Sequence, residues 1–175
     1  MSAEVQEKWL KWVALTTTIL AVCTAFGSLK GGGYSTQVQL MTTQVNDQWS
    51  YYQAQKVKLH INEMEKDILS IELIKDNSAL VKDAVGKKIA LLESNIKKYN
   101  KDKDDIKTSI DDLAAKQVNL KRHGSNFGLA VMFFQIAIML SAIGSLLKQK
   151  PAWLFGLALG LIGFVYFLNG FFLFF

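Results

Sequence analysis

The sequence has few of the residues from which disulfide frameworks, metal sites and catalytic centres are built. Its only cysteine is Cys23, so no disulfide can form within one chain. Its two histidines, His60 and His123, have no cysteine or carboxylate at metal-ligand spacing. The glycines at 31–33 are not followed by the Lys-Ser or Lys-Thr of a P-loop, and no G-x-S-x-G sequence occurs. We therefore expect no metal, no cofactor and no enzymatic activity.

Charged side chains are absent from three long stretches of the chain. These are residues 12–29, 127–147 and 152–175, which contain 18, 21 and 24 residues. Of the 35 Asp, Glu, Lys and Arg residues, 29 lie within residues 30–122. A helix needs about 20 apolar residues to cross a hydrocarbon layer about 30 Å thick. The three stretches therefore predict transmembrane helices, with the lipid bilayer as their partner.

The net charge of +5 does not indicate nucleic-acid binding. Residues 30–122 contain 16 basic and 13 acidic residues, and the two signs are interspersed. Such mixing is typical of a solvated helix surface rather than of a phosphate-binding stripe. Nucleic acid is therefore not an expected partner.

The first apolar stretch has two other interpretations. Its basic start and short length also fit a cleaved signal peptide. The sequence Leu-Ala-Val-Cys at 20–23 resembles a lipidation site, although Val22 stands where a small residue is preferred. We favour a retained transmembrane helix because the stretch, although short for a transmembrane helix, exceeds the roughly 7–15 apolar residues of a signal peptide.

Basic residues near the apolar stretches indicate an orientation. With three crossings, the N-terminus and the turn at 148–151 share one side of the membrane. The positive-inside rule weighs four lysines on that side against three basic residues on the other. It favours a cytoplasmic N-terminus, which in a bacterial inner membrane would place residues 31–125 in the periplasm. The residues compared are Lys8, Lys11, Lys148 and Lys150 against Lys30, Lys121 and Arg122.

Residues 85–120 repeat with heptad spacing. Apolar residues occupy nine of eleven positions separated by alternating steps of four and three, over five heptads. This pattern predicts a coiled-coil seam. The eleven positions are Val85, Ile89, Leu92, Ile96, Tyr99, Lys103, Ile106, Ile110, Leu113, Gln117 and Leu120.

The preceding arm is predicted to use two registers, because a step of five residues separates Tyr52 from Val57. Such a step shifts the phase of a helix on its partner. The first register is Val38, Met41, Val45 and Tyr52, and the second is Val57, Ile61, Met64, Ile68 and Ile71. Further apolar residues fall outside these registers and suggest contacts with neighbouring copies: Leu40, Trp49, Leu59, Leu69, Leu73 and Leu91.

The sequence Lys-Asp-Asn-Ser at 75–78 separates two arms of similar length. Asn77 and Ser78 suit a turn followed by a helix N-cap. We therefore predict an all-α fold of three transmembrane helices with a long antiparallel coiled-coil hairpin between the first and second. The predicted domains are residues 1–30, 31–125 and 126–175. The glycines at 31–33 are interpreted as a flexible joint.

Two groups of polar residues are candidates for interaction rather than catalysis. Gln135 and Asn169 lie within apolar stretches, where amides usually hydrogen-bond to another helix. A second group combines aromatic and polar side chains on one helical face, and is interpreted as a packing site or as a site for a partner. Its members are Trp49, Tyr52, Gln53 and Lys56.

Small residues recur at helical spacing in the second and third apolar stretches. Such faces allow close helix packing, either within one subunit or between subunits. The residues concerned are Gly156, Gly160, Gly163, Ser141 and Ser145.

Several short sequences are shared with a known family. Residues 49–60 read WSYYQAQKVKLH, residues 135–141 read QIAIMLS, and residues 151–156 read PAWLFG. Together they resemble an uncharacterised bacterial membrane family catalogued as a domain of unknown function, number four-three-three-seven. One departure is at 55–56, where Gln-Lys stands in place of an Ala-Lys that directly follows the glutamine of the family pattern. The resemblance implies three helices plus a coiled coil, and no known activity.

We expect a non-enzymatic integral membrane scaffold that homo-oligomerises and presents a coiled-coil assembly outside the bilayer to a protein partner. Two alternatives remain open. In the first, the oligomer is a pore or transport component, with Gln135 and the threonines at 16–18 lining the path. Alternatively, the chain is a membrane-bound sensor, which would need a ligand pocket in the hairpin.

Overall fold

The computed structural model describes residues 3–75 and 78–174. Three α-helices contain nearly all of them: α1 (Ala3–Lys75), α2 (Ala79–Leu146) and α3 (Lys150–Phe172). No strand occurs in the described ranges, and the predicted all-α class is confirmed. Each helix contains a stretch long and apolar enough to cross a membrane, by length and composition.

Helix α1 passes through the three consecutive glycines without a break. The flexible joint predicted at residues 31–33 is therefore an uninterrupted part of a helix. Glycine disfavours a helix by only about 1 kcal/mol relative to alanine, and Gly31 packs closely against α2. A Cβ atom added at Gly31 would lie 3.2 Å from Phe127 Cβ, whereas one at Gly32 or Gly33 would have no neighbour within 4 Å.

The contacts divide the chain into two compact units. One consists of the residues up to Leu40 together with those from Gln117 onward, and the other is Met41–Lys116. The first unit contains α3 and parts of α1 and α2, and the second contains only α1 and α2. The boundary between the two units lies ten residues later on α1 than the predicted boundary at 30/31. On α2 it lies nine residues earlier than the predicted boundary at 125/126.

Within Met41–Lys116, α1 and α2 run antiparallel. The Asn95 amide donates to the Asn62 Oδ1 at 3.4 Å, and Lys88 Nζ lies 3.2 Å from Glu65 Oε1. Lys107 Nζ lies over the Trp49 ring, nearer the start of the unit. Along these contacts, higher residue numbers on α1 face lower residue numbers on α2, so the two helices are antiparallel. The predicted helical hairpin is confirmed.

The face that α2 turns toward α1 follows the predicted heptads. All eleven predicted positions between Val85 and Leu120 are buried or half-buried. The deepest are Leu92, Ile106 and Ile110, which are 2, 7 and 3% exposed. Burial of the apolar side chains at these positions stabilises the contact of α2 with α1.

The predicted second register of α1 is wrong. Val57, Ile61, Met64, Ile68 and Ile71 are all more than half exposed. The helix instead keeps the register of Tyr52, because an unbroken helix retains one face toward its partner unless residues are inserted into the repeat. The buried or half-buried positions that follow Tyr52 in steps of three and four are Gln55, Leu59, Asn62, Lys66, Leu69 and Leu73.

The ends of α1 and α2 agree with the predicted turn as far as they are described. Lys75 is the last residue of α1, and Ser78 directly precedes α2. The carbonyl of Ser78 accepts the first helical hydrogen bond from the Lys82 N–H at 3.0 Å, as the carbonyl of an N-cap residue does. Asp76 and Asn77, which complete the predicted turn, lie outside the described residues.

A tight turn joins α2 to α3. Lys148 adopts a left-handed conformation with φ of 54°, and the Gln149 N–H donates to the Gly144 carbonyl at 2.9 Å. Gly144 is needed here because an added Cβ would lie 2.9 Å from the Trp153 backbone nitrogen. Pro151 occupies the first turn of α3, where its missing N–H has no helical partner to lose.

The hairpin register predicts unequal effects of two matched substitutions. Ile106→Ala should lower the free energy of unfolding by about 2–5 kcal/mol, because the side chain is buried. Ile74→Ala should change it by less than about 0.5 kcal/mol, because Ile74 is 84% exposed. Urea unfolding of the purified protein in detergent, followed by circular dichroism at 222 nm, measures both. Equal effects would contradict the register.

Candidate functional site

The aromatic cluster predicted on α1 contains a packed pair and two exposed residues. The rings of Trp49 and Tyr52 meet edge to face with centroids 5.4 Å apart. Lys107 of α2 lies 5.1 Å from the centre of the Trp49 ring, a cation–π distance. Tyr52 is half-buried, whereas Gln53 and Lys56 are exposed. The pair therefore contributes to the contact between α1 and α2 through Lys107, whereas Gln53 and Lys56 lie in solvent.

Polar side chains interrupt the α1 face that meets α2. Gln55 is 4% exposed, and its Oε1 has no hydrogen-bond partner among the described residues. Asn62 is paired with Asn95, and Lys66 forms an ion pair of 3.5 Å with Glu93. A buried oxygen without a partner costs on the order of 1–3 kcal/mol. The α1 side of the contact with α2 is therefore only partly apolar.

The small residues of α3 pack against α2 within one chain. A Cβ added at Gly156 would lie 2.9 Å from the Ala137 carbonyl oxygen and 3.2 Å from Ser141 Oγ. One added at Gly163 would lie 2.9 Å from the Phe134 ring. Ser141 is buried, and its hydroxyl donates to the Ala137 carbonyl. Of the two interpretations of the small residues, contact inside one subunit is therefore realised for Gly156, Gly163 and Ser141.

Two other members of the small-residue group have different surroundings. A Cβ added at Gly160 would lie 3.2 Å from the Leu20 side chain, so this glycine faces α1. Ser145 is half-buried near the end of α2. Gly160 thus serves the packing of all three helices rather than of α2 and α3 alone.

A stack of rings joins the three helices at the opposite end from the Lys148 turn. Tyr34 stacks on His123 with centroids 5.0 Å apart, and on Phe127 at 5.9 Å. Phe127 is fully buried and meets Phe171 edge to face. His123 Nδ1 lies 2.7 Å from the Gly170 carbonyl oxygen. Because the carbonyl can only accept, Nδ1 carries the proton in this contact.

The two amides in the apolar stretches are not brought together. Asn169 is fully buried, and its backbone carbonyl accepts the Leu173 N–H that caps α3. Gln135 lies on the exposed surface of α2. Asn169 is therefore an internal residue of α3, whereas Gln135 is available to surroundings outside the chain.

An apolar groove of about 180 Å³ lies between the three helices. Its walls include Leu20, Cys23, Phe134, Leu157 and Gly160. Thr16 is at its edge, and its hydroxyl accepts a hydrogen bond of 3.2 Å from the Trp153 indole. Such a lining suits an apolar chain better than a polar ligand.

No group of three or more His, Cys, Asp or Glu side chains suited to hold a metal ion is found in residues 3–75 and 78–174. His60 lies 3.9 Å from Glu63 on the exposed surface, and His123 is in the ring stack. The geometry of both histidines is that of packing or surface residues.

Comparison with family models decides the resemblance suggested by residues 49–60, 135–141 and 151–156. A model described as a domain of unknown function, DUF4337, matches residues 9–173. The chain belongs to the DUF4337 family. The match covers all three helices almost completely, and the suspected family is confirmed. No curated protein and no solved structure matched the chain.

Several contacts of this DUF4337 chain were not predicted from sequence. Lys107 directly follows Ile106 but is not one of the predicted heptad positions, so only the fold shows that it reaches Trp49. His123, Tyr34 and Gly170 come from three helices, and their spacing carries no local signal. Gln55 could have been identified by extending the first register of α1 past Tyr52.

The close approach of α3 to α2 predicts that this DUF4337 chain does not tolerate a methyl group at Gly156. Gly156→Ala should destabilise the unit by about 1–3 kcal/mol, because the neighbouring atom is a backbone oxygen. Gly33→Ala is the matched control, since its Cβ would enter open space. The thermal midpoint in detergent should fall for the first variant only. A fall for Gly33→Ala alone would contradict the packing.

Proposed function

We propose that the protein is a non-enzymatic scaffold anchored in a bilayer by three transmembrane segments. It assembles with copies of itself and presents a coiled-coil hairpin outside the membrane. The proposal combines the three apolar helices, their packing through small residues, and a charged two-helix unit that has no apolar stretch of membrane-spanning length. The segments concerned lie near the start of α1, near the end of α2 and along α3.

The observation that carries the proposal is the amount of apolar surface left uncovered. In the most apolar 18-residue windows of α1, α2 and α3, only 11, 28 and 17% of the residues are buried. Examples are Leu15 and Phe26 on α1, Met139 on α2, and Leu161 and Val165 on α3, which are 51, 59, 57, 69 and 53% exposed. Surface of this kind is stable when acyl chains cover it.

The orientation follows from the flanking charges. Lys11, Lys148 and Lys150 belong to the end at which α1 begins and α2 ends, and Lys30, Lys121 and Arg122 belong to the other. Together with Lys8, the first set has the larger number of basic residues close to the apolar stretches. We place this end in the cytoplasm and residues 31–125 in the periplasm of a bacterial cell.

Self-assembly is supported by Gln135 and by the outer surface of the hairpin. An exposed amide in an apolar stretch needs a hydrogen-bond partner that lipid tails cannot provide. The exposed residues at 57, 61, 64, 68 and 71 are apolar and lie outside the membrane-spanning stretches. Both features are covered most simply by other copies of the chain.

The proposal predicts how the protein behaves in native membranes. It should remain in the membrane pellet after alkaline carbonate extraction, because its apolar helices are surrounded by lipid. A lysine-reactive crosslinker should then give a ladder of multimers on denaturing gels. Membranes dissolved in SDS before the reagent is added are the control. Release by carbonate, or monomer alone after crosslinking, would refute the proposal.

A pore is the second candidate, because Gln135 is exposed at a place where several copies would surround a path. The threonines at 16–18 support it less, because their hydroxyls donate to backbone carbonyls of their own helix. The sensor interpretation gains no comparable support.

The two candidates differ in what Gln135→Leu should change. If Gln135 joins subunits, the variant should lose multimers and leave the permeability of reconstituted liposomes unchanged. Phe133→Leu, a change to a ring that stacks on Tyr166 within the chain, is the control for altered helix packing. Ion flux through wild-type liposomes that disappears in Gln135→Leu would instead favour the pore.

A further inference from the structure

We propose that neighbouring copies join head to tail through their hairpins, with the outer face of α1 of one copy against the outer face of α2 of the next. This inference rests on the proposed function, since it assumes copies that share a bilayer. Two surfaces form the contact. The apolar stripe of α1 is Val57, Ile61, Met64, Ile68 and Ile71, and the lysine face of α2 is Lys87, Leu91, Ser94, Lys98 and Lys101.

The apolar stripe has the spacing of a helix-packing surface. Its residues follow steps of four and three, yet they are 58, 55, 51, 61 and 53% exposed. On the heptad of α1 they lie on the side opposite to the seam with α2. An apolar row with this spacing fits along another helix at a small crossing angle. The occupant is therefore a helix.

Charge argues against pairing of the stripe with itself. Residues 57–72 contain two lysines and four carboxylates, a net charge of −2 with His60 neutral. Two such segments side by side would repel each other. On α2, residues 87–101 contain five lysines and one carboxylate, a net charge of +4. Two ion pairs, Lys66–Glu93 and Lys88–Glu65, join the helices within the hairpin and do not contribute to its outer faces. The remaining exposed charges are −2 on α1 and +4 on α2, so the outer faces are complementary in charge. They are Lys58, Glu63, Asp67 and Glu72 on α1 and Lys87, Lys97, Lys98 and Lys101 on α2.

The lysine face can also cover apolar surface. At the centre of the lysine face, Leu91 is 55% exposed, and the small exposed residue Ser94 permits close approach of another helix. The aliphatic stems of lysines lie along apolar side chains while their ammonium groups reach nearby carboxylates. Asp67 and Glu72, both exposed, flank the stripe and are suitable partners for them.

Direction and height also agree. Copies inserted the same way in one bilayer have α1 of one antiparallel to α2 of the next, as within a hairpin. The Asn62–Asn95 contact fixes which residues of α1 and α2 are level. In a neighbour at the same height, Ser94 is therefore level with Met64. Because the two faces differ, the contact repeats from copy to copy and gives a ring or an open row.

A paired-cysteine experiment in native membranes tests this contact. In a Cys23→Ser background, Met64→Cys with Ser94→Cys should give disulfide-linked dimers and higher multimers under mild oxidation. The two cysteines lie on opposite outer faces of one hairpin, so a disulfide between them joins two chains. The control pair is Met64→Cys with Asp105→Cys, whose second position is about 16 Å further along α2, and it should give monomer.

The other outcomes are decisive as well. Dimers from Met64→Cys alone would mean that the stripe pairs with itself, and would overturn the inference. Monomer from the 64/94 pair would also overturn it. If lysine crosslinking of the same membranes still gave multimers, the proposed self-assembly would stand and only this surface would be wrong. If both gave monomer, both would be wrong.

Charge reversal adds a readout that a general folding defect would not reproduce. Glu72→Lys should reduce disulfide formation by the 64/94 pair, because it places a lysine opposite the basic face. Adding Lys87→Glu, at the level of residue 72, should restore it. Loss of disulfides that the second reversal does not restore would contradict the assigned charges.

Discussion

The structure depends on one geometric constraint, which is that an unbroken helix keeps the same face toward its partner along its length. In Met41–Lys116, α1 continues past Tyr52 with steps of three and four, and so buries Gln55, Leu59 and Asn62 against α2. The apolar residues of the same segment then lie on the other side. A helix with a polar-rich inner face and an apolar outer face cannot bury all of its apolar surface within one chain.

The three-helix unit follows a different constraint, the small size of the residues at its contacts. Gly27, Gly144, Gly156 and Gly163 each have a neighbour within 2.9 Å of an added Cβ. Side-chain or backbone atoms approach these glycines closely, and in lipid such van der Waals contact would stabilise the unit in place of the hydrophobic effect. The rings of Phe127 and its neighbours fill the end that lies furthest from the Lys148 turn.

The sequence was sufficient for the helices, the hairpin and the face of α2, because those depend on local composition and on a long regular repeat. It failed on the second register of α1, since we gave apolar character more weight than helical continuity. The break in apolar spacing after Tyr52 marks a change in which side is apolar, not a change in which side meets α2. The sequence did not show which of Gln135 and Asn169 is buried, because helix rotation decides it.

Continuity of the α1 register also determines which residues lie inside the hairpin and which lie on its outer face. Gln55 and the Asn62–Asn95 pair belong to the hairpin itself, whereas the apolar stripe and the lysine face are the surfaces that the proposed assembly would use. A scaffold of this type would therefore hold each hairpin together through an α1 face of mixed polar and apolar residues, and would leave an apolar stripe for contacts between copies.

The most direct test of the account is a disulfide within one hairpin, formed in detergent-purified protein lacking Cys23. Asn62→Cys with Asn95→Cys should crosslink efficiently inside a monomer, because these positions face each other. Ile61→Cys with Asn95→Cys should not, since Ile61 is on the outer face. Efficient crosslinking of the second pair with failure of the first would contradict the register on which the account depends.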